Sequence, residues 1–263
     1  MPTTDDPPAG GAAGDNAQAS PVRSVVRALD LLALFTEDHA TWTVRELTET
    51  SGLAKTTVLR LVDTLQQRGL LWSGEQGRIS AGPGLLRWAS LAQTAWRVPE
   101  QARHVMRELS DACGETVNLY VRSGTTRICV EQQEGRRSVR HIVRVGDELP
   151  LWGGAASKVL LSGADERSLA AVLALDPHGR TIDQLRAELA EVAARGSAVS
   201  HGEREVGASG LAAPVVGDDG AVLAALALGG PTPRFTAEAV ADFEGKVRDA
   251  ASRISRIGIG GRA

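Results

Sequence analysis

The chain has 263 residues, enough for two domains of ordinary size, and a formal net charge of -3, which excludes a generally basic protein that coats phosphates. Hydrophobic residues make up 43% of it but aromatic residues only 3%, so its cores must be built from Ala, Val, Leu and Ile. No run approaches the ~20 consecutive apolar residues of a membrane span. Two cysteines, Cys113 and Cys129, behind an opening with no charged and apolar leader, fit a reducing cytoplasm better than a disulfide scaffold.

In chain order, residues 1–22 are rich in Ala, Gly, Pro and Asp and read as a disordered tail. From Ser24 to Phe35 two apolar sets, Val25/Leu29/Leu32 and Ala28/Leu31/Phe35, repeat at helical spacing. Thr43 followed by Glu46 is a capping box that starts a helix at Val44, and Ser51-Gly52 ends it. A second helix runs from Lys55 to about Arg68, with Val58, Leu61, Val62 and Leu65 as its core stripe. Gly69 suits a left-handed cap, and strands over 70–73 and 77–80, joined by Gly74-Glu75-Gln76-Gly77, read as a hairpin.

Two helices, a tight turn and a hairpin over residues 23–82 are the outline of a winged helix-turn-helix. The start of its second helix presents Lys55, Thr56 and Thr57, all hydrogen-bond donors, where such a fold meets base edges. Thr43, Arg45, Arg60 and Arg78 complete the expected DNA-binding set. The basic signal is modest, because Glu46, Glu49, Asp63 and Glu75 are interspersed.

Residues 83–113 carry two amphipathic helices that read as a connector: one opened by Pro83-Gly84, the other by Pro99 and ended by Gly114. From Thr116 the period becomes two. Val117, Leu119 and Val121 alternate with Asn118 and Tyr120, and strands follow over 126–132 and 138–145. Helical patterns occupy 155–161, 165–174 and 182–195, a hairpin spans 210–228 around Gly217-Asp218-Asp219-Gly220, and a long helix covers 236–257. The fold class is therefore α+β, with a winged helical head, a helical connector and an antiparallel sheet packed by helices over 114–258, before a short tail at 259–263.

The chain resembles the IclR-type bacterial transcriptional regulators. In the head the likeness rests on Arg27-Ala28-Leu29-Asp30-Leu31-Leu32 and on Leu53 to Leu61 with Leu65 and Gly69-Leu70. In the larger domain it rests on Val145 to Leu151, Ala156 to Leu161 and Gly207 to Val215. The resemblance implies a GAF-like effector-binding domain, dimers paired through head and connector, often tetramers, and a palindromic double-stranded operator. It also implies a pocket near Leu149, His141, Ser200, Gly210, Ala227 and Gly229. Small-acid-binding members carry polar side chains where this chain has Ser200, Gly210, Ala227 and Gly229, and Ser157 stands where the family usually has glycine. A bulkier carboxylate or aromatic ligand is therefore expected rather than a glyoxylate- or pyruvate-like acid.

The residues themselves point to the same region. Trp152-Gly153-Gly154-Ala155-Ala156 leads into a helix, and small residues there leave backbone amides open to an anion or carbonyl oxygen. The same glycines would equally serve a tight loop, and Trp152 a core or interface position. His141 shares a strand face with Val139, Val143 and Val145, where a satisfied core histidine and a pocket residue look alike. No nucleophile elbow, phosphate loop or zinc spacing occurs among the motifs, so the chain reads as a regulator rather than an enzyme, of repressor type, with no cofactor or metal. The alternative is a thiol redox enzyme built on Cys113 or Cys129.

Overall fold

The computed structural model describes residues 22–140 and 143–260. The chain divides into two compact units between Leu91 and Ala92. The expected tail at 1–22 lies outside the described residues except for Val22, which precedes the first helix, α1 (Arg23–Ala33).

In the first unit Thr43 caps α2 (Val44–Ser51): its hydroxyl accepts from the Glu46 amide at 3.2 Å while Glu46 Oε2 accepts from the Thr43 amide at 2.6 Å. Gly52, at φ 65°, makes the left-handed turn into α3 (Lys55–Gln67). Beyond α3 the Leu70 amide reaches Leu65 O at 2.9 Å and the Gly69 amide reaches Gln66 O at 2.9 Å, a Schellman ending that turns the chain into the wing. The wing strands are β2 (Leu71–Ser73) and β3 (Ile79–Ala81). A two-residue strand that the sequence does not reveal, β1 (Thr41–Trp42), pairs with the far edge of β3. Leu31, Leu47, Val58, Val62, Leu65, Leu71 and Ile79 form the core, closed by Trp42, whose indole N–H donates to Leu34 O and His39 O at 3.1 Å each.

The unit boundary falls within α4 (Gly84–Ala95), a helix none of whose residues is buried. In the second unit α5 (Glu100–Cys113) ends at Gly114, φ 72°, and leads into a sheet of β4 (Thr116–Ser123), β5 (Thr126–Gln133), β6 (Glu148–Pro150), β7 (Ala198–His201), β8 (Ala208–Val216) and β9 (Val222–Pro231). Their order is β6-β5-β4-β9-β8-β7, antiparallel throughout. Strand alternation splits the side chains by size. Val117, Leu119, Leu211, Leu226 and Leu228 face α5 and α9 (Ala237–Ile257) in one core. Tyr120, Ala212, Ala225 and Ala227 face a second core with α6 (Ala155–Leu161), α7 (Glu166–Leu173) and α8 (Ile182–Arg195).

Of the strand expected over 138–145, the described residues, 138–140 and 143–145, form none, and residues 141 and 142 lie outside the described residues. Alternation favours a strand locally, but the chain instead folds back through a turn at Gly146, φ 97°, where the Arg144 amide donates to Asp147 Oδ2 at 2.8 Å. The next strand among the described residues is β6, which pairs with β5. At the other end Ile259 packs against the α5/α9 core, and residues 261–263 lie outside the described residues.

Candidate functional site

On α3 the core stripe turns Val58, Val62 and Leu65 inward and leaves Lys55, Thr56, Leu59, Arg60 and Asp63 exposed. Thr57 is half-buried. Leu59, 45% exposed, belongs to this surface and is invisible to a search for hydrogen-bond donors. It could meet the apolar face of a thymine methyl. Arg45, on α2, is exposed and paired with Glu49 at 2.8 Å, which raises its pKa through the hydrogen bond. Arg78 sits on the wing, where its guanidinium donates to Thr41 Oγ1 at 2.9 Å and Thr41 O at 3.0 Å. Thr43 is committed to the α2 cap, which also lowers the pKa of Glu46.

The second unit holds a cavity between the sheet and the start of α6, under the β7–β8 hairpin loop, residues 202–207. It brings together seven of the expected residues: Gly154, Ala155 and Ala156 on α6 and its approach, and Ser200, Gly210, Ala227 and Gly229 on the sheet. Leu149 and Trp152 do not line it. Both pack against the α6 core, and Trp152 meets the ring of His178 edge-on at 5.5 Å. His141 lies outside the described residues.

Two expectations need correcting. The amides before α6 are not open: Gly154 N–H donates to Glu203 Oε2 at 3.0 Å and Ala155 N–H to Ser200 Oγ at 2.9 Å. Buried amides must find acceptors, and the chain supplies its own. Nor do the small residues of β8 and β9 leave a large apolar space. The cavity measures about 60 Å³, and Tyr120, Arg127, Glu203 and Arg204 are among the residues that line it.

Gly154 has φ 100° and ψ 154°, a region that only glycine occupies readily, and a Cβ there would come within 3.3 Å of an Arg127 nitrogen. Glu203 also pairs with Lys158 at 2.6 Å, and Lys158 reaches Glu188 at 3.3 Å. Arg180 joins Glu188 at 3.2 Å and Asp176 at 2.7 Å, while His178 Nε2 donates to Glu203 O at 3.1 Å. This network ties the loop at 202–207 to α6 and α8. Neither Glu203 nor Arg127 could be found from sequence spacing, since Glu203 is 49 residues from the Gly154 amide it accepts from.

The two thiols do not support redox chemistry. Cys113 and Cys129 are buried in opposite cores, and burial pushes their pKa values up to about 11 and about 12. The reactive thiolate is thus disfavoured at neutral pH.

An exposed helix beside a wing, followed by a sheet domain with its own core and cavity, defines a DNA-binding regulator with a sensory domain. The family model described as "Bacterial transcriptional regulator IclR C-terminal" matches residues 92–256, and "IclR helix-turn-helix domain" matches residues 24–72. The HTH-type transcriptional regulator KipR of Bacillus subtilis is 31% identical, over 89% of this chain and 96% of its own. An IclR-family regulator from Rhodococcus sp. has a crystal structure 44% identical in sequence, with a TM-score of 0.62, over 97% of this chain and 98% of that one. An IclR homolog from Microbacterium hydrocarbonoxydans, solved in complex with 4-hydroxybenzoate, is 25% identical with a TM-score of 0.71, over 89% of this chain and 98% of that one. The chain belongs to the IclR family: it is a DNA-binding transcriptional regulator with a C-terminal effector domain, and not an enzyme. Among the described residues no helix is long and apolar enough to cross a membrane.

Proposed function

We propose that the protein is a ligand-released repressor. Residues 23–82 read a palindromic operator as a homodimer or homotetramer, residues 83–113 connect, and residues 114–258 hold a small carboxylate or aromatic effector. In the head, Lys55, Thr56 and Thr57 meet bases, while Arg45, Arg60 and Arg78 meet phosphates. One observation carries the sensory half: the cavity at the start of α6 lies under a loop whose Glu203 carboxylate holds both the Gly154 amide and Lys158 of α6. A ligand larger than the cavity enters by moving that loop, which breaks the Glu203 contacts and shifts α6. The relative that carries 4-hydroxybenzoate supports an aromatic acid as effector class. Repression is the sign expected of a head that covers a promoter until ligand releases it.

The reading is tested by screening carboxylic acids and aromatic metabolites for a raised melting temperature, since a ligand that binds only the folded state must stabilise it. Acids that stabilise should weaken operator binding in gel shifts. Stabilising acids that leave operator binding unchanged would contradict the coupling.

A further inference from the structure

Arg127 of β5 is 4% exposed and lines the cavity. One of its terminal nitrogens is held by three neutral oxygens: Pro150 O at 3.0 Å, Gly153 O at 2.8 Å and the hydroxyl of Ser157. Its carbon lies 5.2 Å from the centre of the Tyr120 ring. Its Nε is buried and has no hydrogen-bond partner among the described residues. No carboxylate forms an ion pair with it there. Glu203 is satisfied by Lys158 and the Gly154 amide, and Glu205 pairs with Arg204 at 3.3 Å.

A buried cation with no carboxylate in direct contact, supported only by the Tyr120 side chain and the more distant charge of Glu203, is costly and needs an explanation. Burial lowers its pKa to about 10, so the side chain still carries its charge at neutral pH. Neutral acceptors fix its orientation without neutralising it, and a guanidinium so fixed offers a planar fork matched to a carboxylate. Gly210, Ala227, Gly229 and the Tyr120 ring line the same cavity, and a ring enters beside them once the loop at 202–207 moves.

We propose that Arg127, held in place by Ser157, is the receptor for the carboxylate of a ring-bearing organic acid, and that it makes the cavity select acids over their neutral amides. This rests on the cavity being the effector site. Calorimetry on the full-length protein compares benzoate with benzamide, and 4-hydroxybenzoate with 4-hydroxybenzamide. Each acid should bind wild type at least about tenfold more tightly than its amide, as a charge-assisted pair requires. Arg127→Met should reduce that preference to about twofold or less, and Arg127→Lys should keep part of it, because it retains charge without the fork.

Equal binding of acid and amide to wild type, no binding of either acid, or an undiminished preference in Arg127→Met overturns the proposal. If Arg127→Met does not fold, the wild-type comparison and Arg127→Lys still decide: a full wild-type preference in Arg127→Lys shows that the fork is not the receptor. Ala227→Phe separates the two readings. If it leaves acid binding intact, the cavity itself is misassigned; if it abolishes binding while Arg127→Met keeps the preference, Arg127 alone is misassigned.

Discussion

Thr43 supports the head through the α2 cap, whereas Thr56 has an exposed side chain at the start of α3. Thr43→Ala should therefore cost about 1 kcal/mol of stability in urea unfolding. Thr56→Ala should change stability by less than about 0.5 kcal/mol. It should nonetheless weaken the cognate operator by about 1–3 kcal/mol more than random DNA, if the hydroxyl reads a base. Arg45→Ala and Arg60→Ala should weaken both DNAs and flatten the salt dependence, and the exposed Glu49 partner of Arg45 offers little to offset that loss. Gel shifts at two salt concentrations separate these outcomes; equal loss on both DNAs for Thr56→Ala removes it from base reading.

The thiols give a prediction of defined sign. Each pKa is higher in the folded chain than the ~8.5 of a free cysteine, at about 11 for Cys113 and about 12 for Cys129. The unfolded chain therefore binds fewer thiol protons as pH rises. The stability these thiols contribute is fully present below about pH 8.5 and declines from there as the pH approaches the folded values. Urea midpoints at pH 8 and 10 should fall less for a Cys113→Ala, Cys129→Ala variant than for wild type. An identical fall would show that neither thiol carries the difference.

At the scale of elements, what local chemistry encodes was legible. The Thr43/Glu46 box, the glycines at 52, 69 and 114 and the stripe on α3 stand in sequence and locate their helices to within a residue or two. The hairpin of β8 and β9 was equally plain, with its Gly217-Asp218-Asp219-Gly220 turn. What escaped is short or non-local. Strands of two, three and four residues, β1, β6 and β7, are too brief for a period of two to declare itself. The stretch at 138–145 has the alternation, but its described residues form no strand.

Arg127 looks like any charged strand residue until its burial is known. Small residues named from the sequence lie together around the cavity, whereas its charged lining was not legible, because it comes from β5 and from a loop distant in sequence. Gly154 tests the local geometry: Gly154→Ala should destabilise by about 1–3 kcal/mol, since alanine must leave the glycine region or crowd Arg127. A variant as stable as wild type by urea unfolding would show that the backbone there is not constrained.

For the whole molecule, each unit has its own core, so the sensory unit can change without the head losing its fold. Specific reading of a two-fold operator needs two heads. Exposed apolar side chains are available for self-contact: Val25 and Leu29 on α1, and Leu86, Trp88 and Leu91 on α4. Light scattering should give a dimer or tetramer, and Leu29→Glu or Trp88→Glu should shift it toward smaller species. A wild-type monomer that footprints one asymmetric half-site would overturn the proposed assembly.

On the proposed function, occupancy of the cavity changes what the head does. An effector can shift the head only by its differential affinity for two states, typically about 5–150-fold in operator affinity. The most direct measurement is operator binding with and without the tightest acid from the carboxylate screen, in wild type and in Ala227→Phe, with circular dichroism to show that both are folded. Operator affinity without ligand should be equal in the two, wild type should lose affinity when ligand is added, and Ala227→Phe should show no ligand response. A folded Ala227→Phe variant that responds to the acid as fully as wild type would contradict the proposed function.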